Sequence, residues 1–331
     1  MACIERRRVL AGIAGIAGAA AALGTASLSR SVRAQGKTIS IVVPYAPGGT
    51  ASDAFARMIA ASMQEDLKRN VIVENKPGGN GIIACTHVSR AAPDGSTLLL
   101  GGTGPVSLNV MMRPNLAYSL ESFQSVAMLF DGMLTLTAAT RLGANSIPEL
   151  VAYAKKNGPL RYGTFGPGSV SELYGLMLTK RLGLPLTPVP YKSNAAAIMD
   201  MVGGNGDFSV ATPISLIDFQ KRGDVKILAL TTAERYPAFP DIPSIAELGY
   251  PDLQSYYWTA LHAPKGTPMD VVKPLAEAAI KAVQSDKFKE MLVTNGQTLK
   301  AGGPEALDAQ LEQDRNFWGK IIKENNIVLN V

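Results

Sequence analysis

Two places in the sequence could do chemistry with backbone rather than with side chains. Each is a glycine-rich turn between an apolar run and an amphipathic stretch: Tyr45-Ala46-Pro47-Gly48-Gly49-Thr50 and Thr164-Phe165-Gly166-Pro167-Gly168-Ser169-Val170. Neither holds a Lys, an Arg or a nucleophile beside a base. A strand-to-helix turn offers N–H groups that have no intrahelical acceptor, at the positive end of a helix dipole, and glycines let an anion approach them closely. Ligands of open α/β sheets sit at this carboxyl edge of the strands. A plainer reading exists: Thr50 or Ser52 caps the first helix while Asp53 offsets its dipole, and Ser169 forms a capping box with Glu172. One turn alone leaves both readings open. Two such turns, one in each half of the chain, favour a pair of jaws that face across a cleft and grip one carboxylate.

Other chemistries find little support. The histidines are His87, within an amphipathic stretch, and His262, at the end of an apolar run; neither lies in a nucleophile context, and two isolated histidines do not make a metal set. Gly79-x-Gly81-x-x-Ala84 is a loose match to a dinucleotide fingerprint, but the next apolar run ends in Gly101-Gly102 with no acid to hold a ribose. No phosphate-binding Gly-x-x-x-x-Gly-Lys-Ser/Thr is present. The expectation is therefore no catalytic residue, no metal and no cofactor.

The turns are held by alternating short β-rich runs and helical patterns, for instance Phe55, Met58, Ile59 and Met63 on one helix face. The pattern predicts an α/β chain with mainly parallel sheets. Ser146 with Glu149, and Thr267 with Asp270 around Pro268, mark helix starts, while Gly183 and Gly296 mark helix stops. From Pro268 onwards the pattern reads as helical throughout, with no strand of its own.

Residues 1–34 differ from the rest. Arg6-Arg7-Arg8, an Ala/Gly-rich apolar stretch and a closing Val32-Arg33-Ala34 read as a signal peptide, with the twin-arginine route favoured over the general one. The competing reading is an uncleaved membrane anchor. The chain has 32 Lys and Arg against 27 Asp and Glu; residues 1–34 hold five of those Arg and one of those Glu, which leaves 27 against 26. A nearly neutral mature chain argues against a nucleic-acid surface. Cys85 is then the one remaining cysteine, so stability must come from packing.

The strings "VPYAPGGTASDAFAR", "VIVENKPGGNGIIA", "AAPDGSTLLLG", "VPYKSNAAAIMDMVGG", "FPDIPSIAELGY" and "WTALHAPKGTP", in this order, resemble the periplasmic substrate-binding proteins of tripartite tricarboxylate transporters, the Bug-type receptors. The resemblance covers essentially the whole mature chain. It implies a type II periplasmic-binding-protein fold, with lobe 1 from residues 35–134 plus 258–331 and lobe 2 from 135–257. It also implies a periplasmic monomer that captures a small carboxylate and passes it to integral membrane subunits, with no nucleic acid involved. A ligand sensor serving a signalling kinase would share this fold, and an enzyme is disfavoured. Carried over by position, the ligand contacts are Tyr45, Ala46, Gly48, Gly49 and Thr50 in one clamp and Thr164, Gly166, Gly168, Ser169 and Val170 in the other. Thr103 and Gly104 add contacts from lobe 1, and Lys192, Ala211 and Thr212 from lobe 2. Two departures stand out. Glu172 replaces a His three residues after the clamp serine, and Ala211 replaces an Asp that many members carry. Without that acid, the expected ligand is a carboxylic acid lacking a free amino group, such as an aliphatic di- or tricarboxylate or an aromatic acid.

Overall fold

The computed structural model describes residues 36–47 and 51–329. The expected leader, and Gly48, Gly49 and Thr50 of the first clamp, lie outside the described residues.

The first strand, β1 (Ile39–Val43), is a run of β-branched residues buried on both faces, as a central strand requires. It leads to α1 (Ala51–Leu67), whose Phe55, Ile59 and Met63, read as one face from the sequence, are buried with Ala56 and Ala60, while Met58 is only half-buried. Then follow β2 (Val71–Asn75), α2 (Ile82–Ser89), β3 (Thr97–Gly102), a π-helical turn Thr103–Leu108, α3 (Asn109–Met112) and β4 (Phe123–Gly132). The chain crosses to β5 (Thr135–Ala139), α4 (Ile147–Asn157), β6 (Leu160–Thr164), α5 (Val170–Leu182), β7 (Leu186–Pro190), α6 (Asn194–Val202), β8 (Phe208–Ala211), α7 (Ile217–Lys221) and β9 (Val225–Leu230). It returns through β10 (Tyr257–Pro264) to α8 (Met269–Val283), α9 (Asp286–Thr294), β11 (Gln297–Gly302) and α10 (Pro304–Glu324).

Two sheets result, one of order β11-β4-β10-β3-β1-β2 and one of order β7-β6-β8-β5-β9. They organise two α/β lobes, here called first and second. The first sheet has a buried cluster on each face, one around Ile41, Phe55 and Phe130 and another around Val42, Met128 and Trp258. The second lobe has its own core around Leu136, Tyr162, Phe208 and Leu228.

Two expectations need correction. The sheets are mixed: β1 runs parallel to β2 and β3, and β6 to β7 and β8, but every pairing of β4, β5 or β10 is antiparallel. The reason is connectivity. β5 and β10 are entered directly from the other sheet, without the helical crossover that returns a chain to a parallel start. The stretch after Pro268 also contains a strand. β11 pairs with β4 at the sheet edge, and its mostly polar sequence hides it from an apolar-run reading.

Helix α10 closes one face of the first sheet through a buried acid. Asp314 is fully buried and accepts from Trp258 Nε1 at 2.8 Å and from Gln310 Nε2 at 3.4 Å. Burial pushes its carboxyl from 3.8 up to about 6. A raised folded-state pKa means that this group's stabilising contribution is complete below the unfolded value and is lost as pH rises through about 6. Asp314→Asn keeps an acceptor for Trp258 without a charge. It should gain up to roughly 3 kcal/mol above pH 6 relative to the parent and little below pH 4, read as the pH dependence of urea midpoints. A parallel shift at all pH values would refute the assignment.

Candidate functional site

Tyr45 of the first turn, Ala51 and Ser52 at the start of α1, and Phe165, Ser169 and Val170 of the second turn line one cavity of about 430 Å³, at the carboxyl ends of β1, β3, β6 and β8. In the first lobe, the carbonyl of Tyr45 accepts from Asn75 Nδ2 at 3.0 Å, and that same amide reaches Asp53 Oδ1 at 3.0 Å. Asp53 is further paired with Arg57 at 3.0 Å. The start of α1 is thereby tied to the end of β2, and Tyr45, Ala51 and Ser52 face the cavity. Beside them lie Gly101, Gly102, Thr103 and Gly104, with Thr103 Oγ1 accepting from the Trp258 N–H at 2.9 Å.

The second turn is built differently from the sequence expectation. Ser169 caps α5, accepting from the Glu172 N–H at 3.3 Å, while the Glu172 carboxylate reaches back to the Gly168 N–H at 2.6 Å. The Phe165, Gly166 and Ser169 N–H groups donate to Ser171 Oγ, Thr164 Oγ1 and the Gly166 carbonyl. The donors of the loop itself are thus consumed. The next ones are those of Val170 and Ser171, ahead of the first helical bond from Leu173 N to the Ser169 carbonyl. Gly166 and Gly168, at φ of +93° and +84°, give the turn its shape. The carbonyls of this turn are held from the first lobe: Gly168 O accepts from Asn80 Nδ2 and Pro167 O from Arg113 Nη2, both at 3.1 Å. Tyr45 and Phe165 approach across the cleft with ring centroids 6.3 Å apart.

Of the residues singled out in the sequence, Tyr45, Thr103, Gly104, Ser169, Val170, Ala211 and Thr212 line this cavity. Ala46, Thr164, Gly166, Gly168 and Lys192 are not part of the lining. Thr164 is buried behind the turn, and Lys192 is exposed to solvent. Gly48, Gly49 and Thr50 lie outside the described residues. Sequence reasoning missed Asn194 and Ala195, although Ser193, which caps α6 by accepting from the Ala196 N–H at 3.2 Å, is a signal that could have found them. It also missed Asn295 and Gln297, because the strand that begins at Gln297 was read as helix. Tyr257 and Trp258 both reach the lining, although the Trp258 side chain is core.

No Asp, Glu, Lys, Arg, His or Cys occurs among the described residues of the lining. Instead, the first residues of three helices, α1, α5 and α6, open onto it. Their dipoles favour an anion held by N–H groups, offset in part by the first-turn acids Asp53 of α1 and Glu172 of α5. His262 lies elsewhere, buried, with its pKa pushed down to about 3 by that burial. Among the described residues no group of His, Cys, Asp and Glu could hold a metal, and no helix is long and apolar enough to cross a membrane.

Comparison with known proteins agrees with this geometry. Residues 55–327 match the family described as "Tripartite tricarboxylate transporter family receptor". A relative from Agrobacterium vitis, the UPF0065 protein in the TAR-I ttuE-ttuC' intergenic region, is 35% identical over 291 residues, which are 86% of this chain and 84% of that protein. Among solved structures, the periplasmic binding protein BugD is 33% identical, with 89% of this chain and 99% of that one covered and a TM-score of 0.80. MatC from Rhodopseudomonas palustris, solved with bound malate, is 30% identical, with 86% and 99% covered and a TM-score of 0.80. A two-lobed α/β fold, an uncharged cleft fed by helix N-termini and a family match over most of its length place the chain among the tripartite tricarboxylate transporter receptors of the Bug type.

Proposed function

We propose that this receptor is exported to the periplasm, where as a monomer it binds a small carboxylate that lacks an amino group and presents it to membrane transporter subunits. The observation that carries the ligand class is the absence of any charged side chain from the described lining, together with the convergence of three helix N-termini on it. In this reading, the carboxylate sits against the N–H groups of Val170 and Ser171 and the facing start of α1, with Thr103, Gly104 and Ser169 beside it. Glu172 does not contact the ligand; it fixes the turn. Lobe 1 comprises residues 35–134 plus 258–331 and lobe 2 comprises 135–257, so the crossings flank the cleft and serve as its hinge. The relative solved with malate supports an organic-acid ligand. The site needs no catalytic group.

Ala211 bears on the ammonium question. It is 2% exposed and lines the cavity at the end of β8, where a methyl offers an ammonium nothing. An unpaired ammonium in such a place costs several kcal/mol. Calorimetry should therefore show hexanoate or 3-phenylpropionate bound roughly 30-fold or more tightly than norleucine or phenylalanine, their α-amino analogues, and more tightly than the matching primary amides. Tighter binding of the amino acids would overturn the exclusion of an ammonium. Equal binding of acid and amide would overturn the carboxylate reading.

A further inference from the structure

One wall of the cavity is a polar row at the crossover side of the first sheet. Gln297 of β11 pairs with Gly132 of β4, and Gly132 pairs in turn with Tyr257 of β10. Residues directly opposite in antiparallel strands share a face. Gly132 has no side chain, so the Tyr257 ring lies across it; a Cβ there would stand 2.5 Å from Tyr257 Cζ and Oη. The hydroxyl is thereby brought to Gln297, whose Nε2 donates to it at 3.0 Å. The strand at Gln297 is fixed from the other side, since its carbonyl accepts from Tyr236 Oη at 2.7 Å. Gln297 Oε1 is left without a partner although the residue is only 4% exposed, and both Gln297 and Tyr257 line the cavity. A buried acceptor with no donor is costly, and the cavity is where a donor can come from.

The charge at this wall argues in the same direction. The described lining offers no cation to a second carboxylate, and Lys192 stands exposed outside it. Burial pushes the Tyr257 hydroxyl well above the usual tyrosine range, and the negative field of Asp131 adds to this. Asp131 has Lys300 at 3.7 Å as a partial counter-charge. A second ligand carboxylate would meet an unpaired carbonyl oxygen and a nearby acid.

We propose that Gln297 and Tyr257 are the second recognition point of the ligand and take a neutral hydrogen-bond donor such as a hydroxyl, so that the cargo is a hydroxylated monocarboxylate with an apolar body rather than a di- or tricarboxylate. This rests on the carboxylate reading above, since it assigns another part of the same ligand. The hydroxyl would donate to Gln297 Oε1 and accept from Tyr257.

Calorimetry on the purified protein tests it with two triads: hexanoate, 6-hydroxyhexanoate and adipate; benzoate, 4-hydroxybenzoate and terephthalate. The hydroxy acid should bind tightest in at least one triad, by about 5- to 10-fold over the unsubstituted acid and by roughly 100-fold over the diacid. Gln297→Met, similar in length but with no amide acceptor, should reduce the hydroxyl advantage, the ratio of hydroxy-acid to unsubstituted-acid affinity, to less than about twofold. Gln297→Glu should bring 6-aminohexanoate above 6-hydroxyhexanoate. A diacid bound tightest by the parent protein would mean that the amide presents its N–H instead, and would overturn the proposal while sparing the carboxylate reading. So would a hydroxyl advantage that survives in a folded Gln297→Met. The ranking by the parent protein needs no variant and stands even if a substitution unfolds the edge strand. Failure of all six acids to bind would defeat the carboxylate reading itself.

Discussion

Ala211→Asp should lower affinity for simple carboxylates by two to three orders of magnitude and reverse the preference between each acid and its α-amino analogue. Position 211 lies at the end of β8, buried, with its backbone carbonyl accepting from Thr135 Oγ1 at 3.1 Å, so the strand is held where it lines the cavity. An aspartate there places a second negative charge in a lining with no described cation. Two unit charges about 4 Å apart at a partly buried site repel by roughly 4 kcal/mol. An α-ammonium turns that repulsion into a pair. Norleucine binding should therefore rise as hexanoate binding falls, with circular dichroism and melting temperature confirming that the second lobe stays folded. If hexanoate bound equally well to the variant, Ala211 would not be near the ligand.

How much could be read from residues alone follows from how local each signal is. The fold class was legible because the period-3.6 stripe of Phe55, Ile59 and Met63 and the apolar runs of β1 and β3 are written within single elements. The caps at Ser146 and Ser169 were legible for the same reason. Strand direction was not, because whether β5 or β10 runs with or against its neighbours depends on which sheet the chain has just left. β11 was missed because a polar edge strand needs only one partner and leaves no apolar alternation. At the site, the second turn was recognisable, but the use of its N–H groups was not. That Glu172 turns back onto Gly168 is a matter of side-chain rotamer, and it moves the free donors from the glycines to the first residues of α5. Lys192, read as either a ligand counter-ion or a solvated lysine, is exposed and outside the cavity lining. Gln297 and Tyr257 meet across 40 positions of sequence, over a glycine in a third strand, and no local pattern records that.

The central claim is that a carboxylate is held by N–H groups at a helix start rather than by a side chain, and Val170→Pro isolates that contact. Val170 is the first residue of α5, a position at which proline is favoured because the N–H has no helical acceptor. Ser169 already has φ −74° and ψ 156°, the extended conformation that a following proline demands. The substitution therefore removes one donor with little strain, and Val170→Ala, which keeps the N–H, controls for the lost side chain. A hydrogen bond to a charged group contributes about 1.5–3 kcal/mol, or roughly 10- to 150-fold in affinity. The deciding measurement is calorimetry of hexanoate and 3-phenylpropionate on the parent, Val170→Ala and Val170→Pro at equal melting temperature. The account predicts a loss of roughly 10-fold or more in Val170→Pro alone. Retention of full affinity by Val170→Pro, or an equal loss in Val170→Ala, would contradict it.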